Sequence, residues 1–594
     1  MKKIVFILLI VYGYSFAQSN IEGFLFDKTT NESLPYATIR ILSENPQYTI
    51  TNEDGKFEVK NTFTNDTLQI SYIGYKPEKI PVSYFLTNSK FFMIPVISEL
   101  DEITLVADKD YAYNLLNNLL QKYRKKQSII ESKAFFTLTS SARNIPIEQI
   151  EGFYNSKHSI SRGLMDLKIK SGRFGQNKSF PFYSLSNILI LSDFRMFENS
   201  DQILPIYPGN MSPNSIKRKY NVKIEDCDNC QKDEMIISFF PKIPNGRFFY
   251  GKLIFNNELQ LIKKIELGIK DPVVKAISSI NENHVITPNE ILLNISYNPL
   301  DYEKMQYLEF TFFINYESLS SKETIESHSF LYFYDYHNTF EEPYFTSTIN
   351  FTNDYDNIIA LQATDEFWNA NYQFPQSFNE KRSMDFMKKY GYLINYDNNI
   401  SAIDFKYINP SVISWNKDKR LEWISIKEDA TTSKKVRRTS EANIEGTINA
   451  DKVFHSSSEL KSGKSLLNNN GNLNFTYALD QYETSNGQKE FVIRTLFDRN
   501  SSFYKYDRSK LKLIYLNLIF DIYEYHRQVL EAQVSDKMLI DEVKLMCKLK
   551  YEEASKVVKN MNKETNYGNN YQALVRWNSK IKGKLGIDNF LLIK

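Results

Sequence analysis

Six histidines and three cysteines are the residues of this chain with the most specialised chemistry. Cys227-Asp228-Asn229-Cys230 has the C-x-x-C spacing that, ahead of a helix in a reducing compartment, supports thiol–disulfide exchange. Here Glu225, Asp226 and Asp228 crowd it with negative charge and disfavour a thiolate, so a local disulfide between Cys227 and Cys230 across an acidic turn is the expected state. Cys547 is the remaining cysteine, and no four-ligand zinc spacing results. His158, His284, His328, His337 and His455 fall in no H-E-x-x-H pattern, and there is no G-x-S-x-G elbow, P-loop or G-x-G-x-x-G. His526 has Glu524 beside it; it reads either as a solvated side chain or as an acid/base group. Asp54 reads either as a turn former or as a calcium ligand. No motif calls for a cofactor.

The elements that would carry these residues are mostly strands. Ile21–Phe26, Tyr36–Ile41, Lys56–Val59 and Thr67–Tyr72 are short β-rich runs separated by turn signals, the spacing of a small antiparallel sandwich. Asn52-Glu53-Asp54-Gly55 is expected to close a hairpin, with Gly55 at positive φ. Tyr111, Leu115, Leu119 and Tyr123 share one face of a helix over 111–126 that ends in Arg124, Lys125 and Lys126, where the dipole favours cations. Beyond it, runs at 234–240, 247–255, 259–267, 290–297, 307–316 and 328–336 predict a curved antiparallel sheet. Phe330, Tyr332, Phe333 and Tyr334 point to alternate faces, which are either both buried or leave an apolar surface on one side. Leu511, Ile514, Leu518, Ile522 and Tyr525 form an apolar stripe at helical spacing.

At 594 residues the chain is too long for one core. The expected architecture is multidomain α+β: a signal peptide over 1–17, a transthyretin-like β-sandwich over 18–98, and a mainly antiparallel β domain with one N-terminal helix over 99–360. A helix and loop connector over 361–415 and a C-terminal α+β domain over 416–594 complete it, with an exposed loop at 456–472. A formal charge of +2 supplies no field for nucleic acid. Lys2 and Lys3 ahead of the apolar run Ile4–Ile10, with Ser15-Phe16-Ala17 behind it, predict export with cleavage after Ala17. No later run is long enough for a transmembrane helix, so a soluble or peripherally attached envelope protein, periplasmic or outer-membrane associated, is expected.

Gly23, Leu34-Pro35-Tyr36-Ala37, Asn52-Glu53-Asp54-Gly55-Lys56-Phe57 and Ile70-Ser71-Tyr72-Ile73-Gly74-Tyr75 resemble the carboxypeptidase regulatory-like domain found at the start of Bacteroidetes envelope proteins. That resemblance implies a transthyretin-like sandwich without catalytic residues. Leu421-Glu422-Trp423, Thr495–Asp498 with Ser501-Ser502-Phe503, Phe520-Asp521-Ile522, and Lys563–Gly568 with Trp577 resemble, in order, a family of secreted zinc-dependent protease domains with zincin-like helices. In such a family two histidines four apart hold zinc and the intervening Glu serves as general base. Aligned on Phe520-Asp521, the resemblance puts those positions at Tyr515, Leu516 and Ile519, and the later histidine at Tyr567, so the metal and the hydrolysis it supports are expected to be lost. The reading is an exported, non-catalytic binding or scaffold protein, a pseudo-metalloprotease whose partner is an envelope protein or a glycan or peptide ligand. The alternative is a peptidase-like hydrolase with a displaced active site.

Overall fold

The computed structural model describes residues 19–42, 48–95, 110–180, 187–199, 202–225, 234–274, 285–298, 301–318, 322–349, 354–361, 365–396, 411–428, 471–484, 488–505 and 507–593. The expected leader, Cys227 and Cys230, and nearly all of the expected loop at 456–472 lie outside those residues.

The first unit is a sandwich of two sheets. One orders Lys56–Thr62, Ser19–Asp27 and Lys90–Met93, the last pair parallel; the other orders Tyr48–Ile50, Thr38–Leu42, Thr67–Ser71 and Glu78–Pro81. Ile21, Leu25, Ile39, Phe57, Leu68 and Ile70 fill the space between them, each at most 2% exposed. The turn at Asn52–Gly55 forms with Gly55 at φ 75°, where a Cβ would sit 2.5 Å from the Leu25 carbonyl. It is not the expected register-setting hairpin. The strand before it belongs to one sheet and the strand after it to the other, so the turn crosses the sandwich.

An eleven-stranded sheet forms the centre, antiparallel at every ladder. Its order is Tyr220–Glu225, Glu234–Pro241, Tyr250–Asn256, Leu261–Lys270, Val285–Asn298, Asp301–Glu317, Lys322–Tyr334, Ile129–Ala142, Ile145–Ser159, Gly163–Asn177 and Gly391–Ile394. Asp301–Glu317 shows why: Leu308, Phe310, Phe312, Ile314 and Tyr316 alternate into one core. The helix Tyr111–Arg124 packs into that core through Leu115, Leu116, Leu119, Leu120 and Tyr123, while Tyr111 is exposed. Arg124 donates to the carbonyls of Phe197, Gly209 and Met211 at 3.2, 3.0 and 2.5 Å.

The other face of the sheet is covered too. Phe135, Phe153, Phe330, Tyr332 and Tyr334 form a second cluster with Ile50 of the sandwich, Phe367 and Tyr482. This overturns the exposed apolar surface and leaves the sheet buried on both faces around Phe330–Tyr334. Tyr36 of the sandwich stacks on Phe330 with ring centroids 3.9 Å apart. Thr49 Oγ1 donates to Gln373 O at 2.7 Å and Asn52 Nδ2 to Gln376 O at 3.1 Å, so the sandwich is bonded to the segment that precedes the helix Phe378–Tyr390.

The last unit combines a four-stranded sheet with helices. The strand order is Tyr344–Phe345, Gly471–Glu483, Lys489–Tyr504 and Val412–Ser414, and the main helices are Lys510–Glu531, Ile540–Glu564 and Tyr571–Leu585. Tyr344–Phe345 comes from within 99–360 yet pairs here, and Gly391–Ile394 comes from within 361–415 yet completes the central sheet. The helix Lys510–Glu531 does not bury a single stripe. Every residue from Lys512 to Glu524 is buried, the mark of a helix surrounded by other elements. A buried Lys170–Asp480 ion pair joins the central sheet to the C-terminal hairpin, and Lys170 Nζ also donates to Glu341 O and Gln481 O at 2.9 and 2.6 Å.

Candidate functional site

The residues aligned with a metal site sit in the middle of that surrounded helix. Tyr515, Leu516 and Ile519 are each 0% exposed and belong to the C-terminal core. Tyr515 Oη donates to Asn562 Oδ1 at 2.8 Å, and a Cβ at Gly568 would lie 2.9 Å from Tyr515 Cβ. The helix and the segment 562–568 therefore meet, although they are nearly fifty residues apart in sequence. Asn566, Tyr567 and Gly568 are all left-handed, at φ 46, 52 and 80°, and turn the chain sharply. Lys512 Nζ closes that turn on the Tyr567 carbonyl at 2.7 Å and on Asn569 Oδ1 at 2.7 Å. Burial holds the Lys512 ammonium below its usual range.

The other aligned pieces are bonded to the same helix or to its neighbour. The Leu421 backbone exchanges hydrogen bonds with the Asn517 side chain at 2.9 and 3.0 Å. Asp521 is 0% exposed and accepts from Trp415 Nε1, Arg420 and Asn589 Nδ2 at 2.9, 2.5 and 2.7 Å. Trp577 Nε1 donates to Glu564 Oε2 at 2.9 Å. Among the described residues no group of three or more His, Cys, Asp or Glu side chains is placed to hold a metal ion. His526 lies 3.8 Å from Glu553, and burial keeps its pKa below the usual value. Glu524 points elsewhere, to Arg527 at 2.9 and 2.8 Å and Thr495 Oγ1 at 2.7 Å, so the two do not form a pair.

A polar cleft of about 550 Å³ lies where the sandwich meets the central sheet. Its walls come from distant segments: Glu53 from the sandwich turn, Glu309, Glu326 and His328 from central strands, and Glu380 and Arg382 from the helix Phe378–Tyr390. His328 bridges two walls, with Nε2 3.0 Å from Glu309 and Nδ1 3.5 Å from Glu53. Burial works against charge on His328, but both carboxylates outweigh it and raise its pKa. Burial likewise opposes charge on Glu309, yet the bonds from His328 and from Asn294 Nδ2 at 2.8 Å leave its pKa lowered. Glu380 goes the other way. Burial first, then the charges of Glu151 and Glu53, push it up to about 7.

The local sequence explains Glu380. Ser377-Phe378-Asn379-Glu380 is a capping box in which the Ser377 side chain accepts from the Glu380 amide and Glu380 Oε2 accepts from the Ser377 amide at 2.7 Å. Asp54 reaches across from the sandwich and accepts from the Phe378 amide at 2.7 Å. It thus serves the helix N-terminus. The Ser-x-x-Glu spacing is the signal that could have marked this helix start, which falls within the expected helix and loop connector; the cleft has no such signal, because its carboxylates are brought together by docking. Chemically, four carboxyl groups face one guanidinium and one imidazole, a lining suited to cationic or hydroxyl-rich ligands.

By its fold the first unit is a two-sheet sandwich, and the CarboxypepD_reg-like domain model matches residues 21–105, so the chain carries that domain at its N-terminal end. No curated protein matches the chain. Among solved structures it is similar to the crystal structure of MucB, at 8% identity over 38% of this chain and 92% of that one, with a TM-score of 0.14. The Pseudomonas aeruginosa MucA/MucB complex matches at 7% identity over 37% of this chain and 93% of that one, also at 0.14. Likeness at that level defines neither fold nor function. No helix among the described residues is long and apolar enough to cross a membrane.

Proposed function

We propose that this is an exported cell-envelope protein with a binding or scaffold role, whose C-terminal unit is a degenerate zinc-protease-like domain kept for its shape. The observation that carries the reading is the burial of Tyr515, Leu516 and Ile519 inside a packed core, where an open coordination position and a water would otherwise be needed. The convergence of the 421, 521 and 564–568 segments on neighbouring helices supports the order in which the resemblance places them. The binding role falls to the acidic cleft, with a basic peptide or an amine-bearing glycan as the ligand class that its charge favours.

Isothermal titration of the protein with a lysine-rich peptide and with glucosamine oligomers tests this. Binding that is lost in Glu53→Gln/Glu326→Gln supports it; no heat with either ligand counts against the cleft. A second reading, a hydrolase with a displaced site, is favoured by one feature: Glu380 is held near neutrality while Glu309 is held ionised in the same cleft. Turnover of a glycan or peptide that Glu380→Gln abolishes would establish it over the first.

A further inference from the structure

Three segments meet at one end of the central sheet, around the turn 242–249. The Lys242 amide donates to Lys219 O at 2.8 Å and its Nζ to Lys217 O at 2.8 Å, tying the turn to the helix Pro213–Lys219. The Val273 amide donates to Gly246 O at 2.7 Å, tying it to the end of the strand Leu261–Lys270. The rim so formed holds apolar side chains out in water: Ile243 is 71% exposed, Val273 55% and Phe240 44%. Arg218, Lys242 and Arg247 are exposed around them. The chain as a whole carries only +2, so this positive charge is a local concentration.

A single exposed apolar side chain needs no partner. Three on adjoining segments, with Lys242 and Arg247 on either side of the turn's apolar tip and Arg218 on the neighbouring helix, have the composition of an interfacial anchor: apolar groups enter the acyl boundary while lysine and arginine meet anionic headgroups. The apolar groups sit at turns and strand ends, the projecting parts of a sheet. Asp271 is an exposed acidic side chain at this rim, and Asp110 is engaged by Lys217 at 2.7 Å. We infer that this end of the central sheet docks the protein peripherally on an anionic lipid surface. The inference stands apart from the acidic cleft, whose residues it does not use.

The test is co-sedimentation of the chain starting at Gln18, which keeps every described residue, with vesicles of phosphatidylcholine alone and with about a third phosphatidylglycerol. Binding is expected only to the anionic vesicles, and Lys242→Glu/Arg247→Glu is expected to weaken it by roughly tenfold or more, since each cation near such a surface contributes about fivefold. Ile243→Ser/Val273→Ser should also weaken it, whereas Leu545→Ser/Leu549→Ser, at another exposed apolar pair, should not. All these positions are exposed, and unchanged melting temperatures verify the fold. Equal binding to neutral vesicles, no binding to anionic ones, or variants that bind like the parent would overturn the proposal. None of those outcomes bears on cationic ligands at the cleft, which the titration above reads separately.

Discussion

Glu380 and His328 make the stability of this protein depend on pH in a defined direction. A carboxyl held at about 7 when folded, against roughly 4.5 when unfolded, binds more protons in the folded state between those values, so stability falls as pH rises through that window. The contribution is at most about 3 kcal/mol. His328 adds to the same trend: its raised pKa gives stability that is complete below the unfolded value and is lost as pH rises through the folded one. Glu380→Gln keeps a side chain able to complete the capping box but has no charge to bury. It is expected to match the parent at pH 5 and to exceed it at pH 8 in urea unfolding. A variant weaker than the parent at pH 8 would mean that Glu380 is charged and stabilising there.

At the level of elements, the turn and the long helix carry the sharpest expectations. Gly55→Ala places a Cβ against the Leu25 carbonyl at a left-handed φ and should cost about 1–3 kcal/mol, read as a lowered urea midpoint. Asp54→Ala removes a carboxylate from a helix N-terminus and should cost about 0.5–1 kcal/mol. Ile519→Ala, in a helix enclosed on all sides, should cost about 2–5 kcal/mol. That helix was legible because its apolar residues recur at helical spacing, and so was the helix Tyr111–Arg124. The strands Ile129–Ala142, Ile145–Ser159 and Gly163–Asn177 were not. The last two bury Glu148, Gln149, Glu151 and Lys170, which blurs any polar and apolar alternation, and in Ile129–Ala142 the alternation is confined to a short stretch around Phe136–Leu138. The parallel strand Lys90–Met93 was missed for a related reason: four residues with an exposed Phe92 give too little pattern to read.

The whole molecule is held together by contacts between units that sequence cannot reveal, because each joins residues hundreds of positions apart. Lys170 and Asp480 are 2% and 4% exposed, and burial pushes both toward their neutral forms while each supplies the other's countercharge. Lys170→Met leaves Asp480 buried without it and should cost about 3–5 kcal/mol in equilibrium unfolding, with Lys170→Met/Asp480→Leu recovering much of the loss. A single substitution that costs under about 1 kcal/mol would show that the pair does not bear on the docking of the two units. The same long-range assembly creates the acidic cleft from residues at 53, 309, 326, 328 and 380; the turn motif around Glu53 and the capping box around Glu380 are local and say nothing of the three strand residues they meet. In the C-terminal unit, the proposed function has packed side chains standing where the zinc-protease resemblance would place a metal. Elemental analysis of protein purified without chelators, with Tyr515→His/Leu516→Glu/Ile519→His alongside, tests it most directly. No zinc above background is expected in the native protein; stoichiometric zinc there would overturn the proposed loss of the metal.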